Sequence, residues 1–513
     1  MRYLLLAVLM VFATSPLKAK DIYISQNGQG SGASCSSPLS AAWFNAAGSW
    51  GAGPQQIGPG TTVHLCGVFS GTPGQQLLAV RGSGTAASPI TIKFETGAVL
   101  TAPYWSSQGA ISANNLSYIT VDGGANGVIR NTANGTGLAY HQNSRAIYML
   151  NCTNCSVQHL SIINIYVRTS NADMAPTQTD LNCVYWLKSN NFTISHVTCH
   201  DAGWAFAGWG NNFTLANSVI YNVDHGLALG PAGTVSGFSI HDNHIYNYAN
   251  WDSASNAYHH DGLHIWGQNG GRVVGGSIYN NRFDGDSGVN ITAHIYLQDS
   301  IQDVAVYNNV FIVPPTRTIN VLWFAAGTNN LPGGIATGNS AFDNFISAGG
   351  HRQGTALFIQ GQQNFTAVNN VLIGGQANIS FQFGGSLSPV GIDHNLYLDL
   401  EAAANDPNGF GYMGRNFKTL DAWRAACHCD ANSKMVSLSD IKANSVGQLL
   451  AGSVGINAGR NLMSLATGTL SNLSRDAVGT QRPSGGNWDV GAYQTVNGVP
   501  RALAPTGLTA TVK

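Results

Sequence analysis

The sequence predicts an all-β solenoid, a chain that coils into stacked rungs of short strands. Three observations carry that expectation. First, one pattern recurs along the middle of the chain. "FTLANSVIYN", "FSIHDNHIYN", "GSIYNNRFDG", "VAVYNNVFIV", "NSAFDNFISA", "FTAVNNVLIG" and "VGIDHNLYLD" each set alternating apolar residues before an Asn and a further apolar pair. Second, those asparagines (Asn217, Asn243, Asn281, Asn309, Asn344, Asn370 and Asn395) return every 25 to 38 residues, the interval of a coil rather than of a domain. Third, only 9% of the 513 residues are Asp, Glu, Lys or Arg. That is expected where most of each rung faces the coil interior or another rung.

The elements follow in order. Residues 1–19, "MRYLLLAVLMVFATSPLKA", join a basic residue, a short apolar run and a small terminal Ala19, the pattern of a secretory signal peptide. The run is too short to span a bilayer comfortably. Residues 20–112 are expected to form an N-terminal cap and the first rungs, and 113–400 the body of the coil. The alternation there has period two, whereas a helix would space its apolar residues by about 3.6. Residues 401–495 break the pattern and are assigned to closing rungs and a C-terminal cap, in which "LDAWRAAC" has helical spacing. Residues 496–513 form a linker-like tail.

A net charge of −1 provides no basic surface, which argues against nucleic acid as a partner. No later stretch is apolar for long enough to cross a membrane. The expectation is a secreted monomer, extracellular or periplasmic. All eight cysteines lie beyond the signal, and an even count in an exported chain favours disulfides. Cys35 with Cys66 and Cys183 with Cys199 are the leading pairs. Metal binding at "CTNC" or "CHC" is the alternative.

Together with the repeats, "GPGTTVHLCGVFSG" and "GSGTAASPITIKFETGAVL" look like opening rungs, and "SVGINAGRN" and "RPSGGNWDVGAYQ" like a closing segment. Over residues 20–495 the chain resembles the right-handed parallel β-helix proteins of the pectate-lyase-like superfamily. The resemblance implies a right-handed parallel β-helix with a small C-terminal cap and a polysaccharide as partner. It leaves the reaction open, because lyases, hydrolases, epimerases and noncatalytic adhesins share this fold.

Candidate chemistry gathers where "HDAGWAF", "VDHGLAL", "HHDGLHI" and "ITAHIYL" are stacked by the Gly before each second strand. Leu227, Leu229, Leu263, Ile265, Ile295 and Leu297 then point inward, and His264, Trp266, Tyr296 and Gln298 outward. Before the Gly stands a polar column of His200, Asp201, Asp224, His225, His259, His260 and Asp261, which His294 extends. Two long insertions, "VRTSNADMAPTQTDLN" and "NYANWDSASNAYHH", border it and are expected to wall a cleft with Asp173, Asp180, Trp251 and Asp252. Substrate contacts are assigned to His225, His259, His264, Trp204, Trp251, Trp266 and Tyr296, with the tryptophans suited to stacking on sugar rings.

Two reactions compete. A uronate lyase needs a base for the C5 proton and positive charge for the carboxylate. His260 or Lys188 is the candidate base and Arg168 the carboxylate ligand. The resemblance further implies Ca²⁺ held by carboxylates, for which Asp201, Asp224 and Asp261 are the candidates. A glycoside hydrolase needs two carboxylates. "HDGLHIWG" is similar to the "DGID" type of motif in the polygalacturonase-like family, with His264 in place of the second Asp, so Asp224 and Asp261 would be the pair. A third reading places zinc or copper on His259, His260, His264 and His294, although alternation sends neighbouring ones to opposite faces. A noncatalytic carbohydrate-binding or adhesin-like solenoid is the remaining class.

Overall fold

Each repeat contributes strands that pair in parallel with the strands one coil earlier and one coil later. Among the described residues a single sheet of 36 strands results. The computed structural model describes residues 20–501 apart from 175–176, 256, 268–269, 315–318, 326–335, 348–354, 375–376, 383–384 and 400–408. The expected signal peptide and most of the tail lie outside the described residues. The chain is a right-handed parallel β-helix, the hand that parallel strands joined by crossovers adopt. Phe410–Tyr412 and Arg415–Phe417 make an antiparallel hairpin near its end.

The inward expectation holds in register. Leu227, Leu263, Ile295, Leu322 and Leu357 pair one above the other and are all fully buried. Burial of such a side chain contributes about 1.5–3 kcal/mol, and each rung needs its neighbours to achieve it.

The repeated turn divides its work between two residues. Asp242, Asn280, Asn308, Asp343, Asn369 and His394 take the left-handed backbone conformation. The Asn that follows each one bonds along the stack: Asn243 Nδ2 donates to Asn281 Oδ1 at 2.9 Å, Asn281 to Asn309 at 3.0 Å and Asn309 to Asn344 at 3.1 Å. The ladder continues through Asn370 to Asn395. In the first turn Asn217 is the left-handed residue, and Ser218, whose N–H donates to Asn243 Oδ1, holds the ladder position. Asn217 is therefore one residue out of the column expected for it.

All eight cysteines are paired: Cys35–Cys66, Cys183–Cys199, Cys152–Cys155 and Cys427–Cys429. "CTNC" and "CHC" close on themselves, which removes them as metal ligands. "LDAWRAAC" forms the helix Leu420–Cys427, capped by the Thr419 hydroxyl. No helix among the described residues is long and apolar enough to cross a membrane.

Candidate functional site

The site lies on the outer face of seven stacked strands: Leu181–Leu187, Thr198–Trp209, Val219–Leu229, His260–Trp266, Ile291–Gln298, Asn320–Ala325 and Thr355–Gln360. Strict alternation fails there. A Cβ on Gly226 would meet Ile245, and one on Gly262 would meet Phe283 and Tyr248, all three core residues. Gly226 and Leu227 thus face inward together, as do Gly262 and Leu263. Glycine fits because no side chain could occupy that inward space. The phase change turns Asp261 and His264, three residues apart, onto the same outer face. In the next rung His294 takes the inward glycine position.

Four side chains converge as a result. His225 pairs in register with Asp261, and His264 follows on the same strand. Asp261 Oδ2 lies 3.3 Å from His225 Nε2, 3.7 Å from His259 Nε2 and 3.8 Å from His264 Nδ1. One ligand atom from each of the four lies within 4.8 Å of every other. Outer partners hold the two buried rings. Asp224 Oδ2 accepts from His225 Nδ1 at 2.7 Å and from Trp204 Nε1 at 3.2 Å. Gln298 Oε1 accepts from His264 Nε2 at 3.0 Å. The Ala293 N–H donates to Asp261 Oδ1 at 2.8 Å. Asp261 Oδ2 and His225 Nε2 remain buried without an aligned hydrogen bond.

The electrostatics separate three imidazoles within a few ångströms. Burial works against the His225 imidazolium, but the Asp224 and Asp261 carboxylates outweigh it and push its pKa up to about 9. Burial dominates at His264 and lowers its pKa to about 4 despite Asp261. His259 is lowered by burial too, yet 48% of its side chain stays exposed. At neutral pH the cluster therefore presents one accessible neutral imidazole, His259, above a buried His225 cation held between two carboxylates.

An aromatic ladder runs on from the cluster. His264, Tyr296, Trp323 and Phe358 occupy one register position on successive strands, with ring centroids 4.8, 4.8 and 4.9 Å apart. Trp266 lies against His264 at 4.4 Å and meets Trp204 edge-on at 5.8 Å. Trp204, Trp266, Trp323 and Phe358 are half-buried. Sequence reasoning missed Trp323 and Phe358, although "NVLWFA" and "TALFIQ" place them at the outward position of their strands.

Several expected site residues stand elsewhere. Trp204, not Ala202, pairs with His225, so stacking by Gly203 slips two residues and leaves Asp201 off the Asp224 position. His200 pairs with Tyr221 instead, and Asp201 sits in a left-handed turn against His200. Lys188 is exposed past the end of its strand. Tyr185 stands in register with Ala207, Ala228 and His264, so Lys188 lies three residues further along the strand and three rungs away from the nearest cluster residue on that line. His260 is fully buried on the other side, its Nε2 3.2 Å from Asp252 and 3.1 Å from the Ser287 carbonyl. Burial removes it as a base. His294 lies in the core beside Phe283, Phe311 and Tyr248 with both ring nitrogens unpartnered, so it does not extend the column.

The two insertions bind each other rather than wall an open cleft. Arg168 is buried and donates to the carbonyls of Asn250, Asp252, Asn171 and Asp173, with Trp251 and Tyr258 against its guanidinium. It is a clamp, with no accessible N–H face for a substrate carboxylate. Trp251 is fully buried and offers no stacking plate. Asp173 accepts from Tyr166, Asp180 pairs with Arg145, and Asp252 accepts from the N–H groups of Val289 and Asn290.

The residues named for Ca²⁺ do not fit it. Asp201 is outside the cluster, Asp224 Oδ2 already serves His225 and Trp204, and only Asp261 faces the shared space. Calcium takes six to eight oxygens, whereas imidazoles predominate here. The carboxylate pair of a hydrolase fails for a related reason. Asp224 and Asp261 are both fully buried and bracket His225, so neither can reach a glycosidic oxygen or a water.

No family model matches the sequence, and no curated protein matches it. Solved structures share its coil. Pectate lyase Pel9A is 16% identical, with 92% of this chain and 96% of that one covered at a TM-score of 0.43. The Streptococcus pneumoniae surface protein and adhesin PfbA is 11% identical over 70% and 92%, at 0.48. An exopolygalacturonase from Thermotoga maritima is 11% identical over 70% and 86%, at 0.36. Likenesses at this level concern the coil alone, and the reaction has to be argued from the site.

Proposed function

We propose that this chain is an exported carbohydrate-active enzyme that holds a polysaccharide along the aromatic ladder and cleaves uronate residues by β-elimination at the His259 cluster. The observation that carries the reading is His259 itself. It is the accessible imidazole of the group, neutral at neutral pH, and it packs on His225 and His264, whose rings in turn meet the half-buried Trp204 and Trp266, suited to sugar faces. A neutral imidazole near its working pH is a competent acceptor for a C5 proton. Asp261 lies behind it and Trp204 and Trp266 flank the cluster. The buried carboxylates disfavour hydrolysis by a carboxylate pair.

The test is a screen of uronate polymers that follows the absorbance of the unsaturated product. Elimination gives that absorbance together with new chain ends. New reducing ends without it would contradict the reading and indicate hydrolysis.

A further inference from the structure

Once His225 gives up the proton on Nε2, three groups in the cluster turn lone pairs toward one another. Asp224 Oδ2 and Gln298 Oε1 are acceptors, so the outer nitrogens His225 Nδ1 and His264 Nε2 carry the protons. The inner nitrogens, His225 Nε2 and His264 Nδ1, then face Asp261 Oδ2 at 3.3 and 3.8 Å. The Ala293 N–H fixes the other oxygen of Asp261, which aims Oδ2 into the shared space. Asp261 and His225 are fully buried there, and neither atom has an aligned hydrogen bond. Such a contact is relieved by a proton on His225 or by a cation.

We propose that His225 Nε2, Asp261 Oδ2 and His264 Nδ1 form a binding site for a divalent transition-metal ion, zinc foremost, with an open coordination position on the His259 side. Two imidazoles and a carboxylate are the donor set of a zinc site that keeps a position for water or substrate. Imidazole nitrogen also selects this class of ion over calcium and magnesium. The outer shell is already in place: a carboxylate behind His225 and an amide oxygen behind His264 set tautomer and ring orientation, as second partners of metal-bound histidines do. An entering ion displaces the His225 proton, so no charge is left buried and unpaired.

The site differs from a metal group built on neighbouring histidines of "HHDGLHI". His260 and His294 face away from it, and His225 and Asp261 take their places. A deeper consequence rests on the elimination reading. Asp224, His225 and Asp261 together carry more negative than positive charge, which disfavours a uronate carboxylate. A divalent ion in place of the His225 proton cancels that excess and offers its open position to the carboxylate, and His259 remains the accessible imidazole beside it.

The experiment uses the exported protein, stripped with a chelator and titrated with Zn²⁺. One ion per chain should bind with a Kd tighter than about 1 μM, and excess Ca²⁺ should not compete. Co²⁺ on the wild type should give the intense visible bands of a low-coordinate nitrogen and oxygen site. His225→Ala, Asp261→Asn and His264→Ala should each weaken Zn²⁺ by about a hundredfold, and Gln298→Leu, which removes no ligand, by about tenfold. His259→Ala should stay within about tenfold of wild type. Absence of zinc and of a cobalt spectrum in wild type would overturn the site, as would equal affinity in all variants. Loss of zinc in His259→Ala to the same degree as in the buried variants would overturn the open position. Zinc bound without any unsaturated product would overturn the elimination reading and leave the ion site standing.

Discussion

His225 lies between two aspartates, donating from Nδ1 to Asp224 at 2.7 Å and standing 3.3 Å from Asp261 on the next rung. All three side chains are fully buried. The arrangement joins two coils through charge on the outer face of the sheet.

The His225 link should make metal-free protein sensitive to alkali. Its folded pKa of about 9 exceeds the unfolded value of about 6.5. Its contribution to stability is therefore complete below about pH 6.5 and is lost as pH rises through about 9. Melting temperatures measured with chelator between pH 6 and 10 should fall in wild type. His225→Gln should start lower and lose less over that range. Parallel curves would contradict the assignment of charge to His225.

His294 has the opposite sign. Burial among Phe283, Phe311 and Tyr248 lowers its pKa to about 3, below the unfolded value, so protonation favours the unfolded chain between about pH 6.5 and 3. His294→Phe should remove that acid sensitivity. It should also preserve or raise stability at neutral pH, since two buried unpartnered nitrogens cost about 1–3 kcal/mol each. A variant that melts lower than wild type at every pH would show that the imidazole has an unrecognised partner.

Asn309→Ala tests the turn column. Asn309 Nδ2 donates to the Ile278 carbonyl and to Asn344 Oδ1, and its Oδ1 accepts from Asn281, all of them buried. Removal leaves several groups unsatisfied, at about 1–3 kcal/mol each. Stability should drop by a few times that unit while turnover of the folded fraction is retained. A marked loss of turnover at unchanged melting temperature would overturn the structural role.

Arg168→Lys distinguishes a clamp from a substrate ligand. A lysine keeps the charge but cannot serve four carbonyls in one plane. The variant should melt lower and be cut faster by proteases within 168–180, with KM for uronate polymer unchanged. A raised KM with unaltered protease resistance would return Arg168 to the substrate.

The coil was legible because its signals are local. Period-two alternation, turn asparagines and low charge persist in every rung, and the ladder from Asn243 to Asn395 repeats one hydrogen bond. The site was legible as a neighbourhood but not as a geometry. "HHDGLHIWG" drew attention to the right strand, yet strict alternation assigned the wrong histidine. His260 faces inward, while Asp261 and His264 share a face because Gly262 and Leu263 both turn to the core. The slip at Gly203 has a similar origin, since "HDAGWAF" and "VDHGLAL" align by eye two residues away from their hydrogen-bonded register. Arg168 and Trp251 were beyond local reading. Their burial depends on two insertions meeting 82 residues apart in sequence.

If proton transfer belongs to His259 rather than to its neighbour, one comparison of variants separates the two. Turnover of a uronate polymer to unsaturated product is measured beside melting temperature for His259→Ala and His260→Ala. His259→Ala should lose about a hundredfold or more in kcat, the usual contribution of a positioned proton-transfer group, with the melting temperature unchanged. His260→Ala should melt lower, because its contacts to Asp252 and Ser287 are buried, and its folded fraction should keep its rate. Full activity in His259→Ala, with the loss confined to His260→Ala at unaltered stability, would move proton transfer to His260.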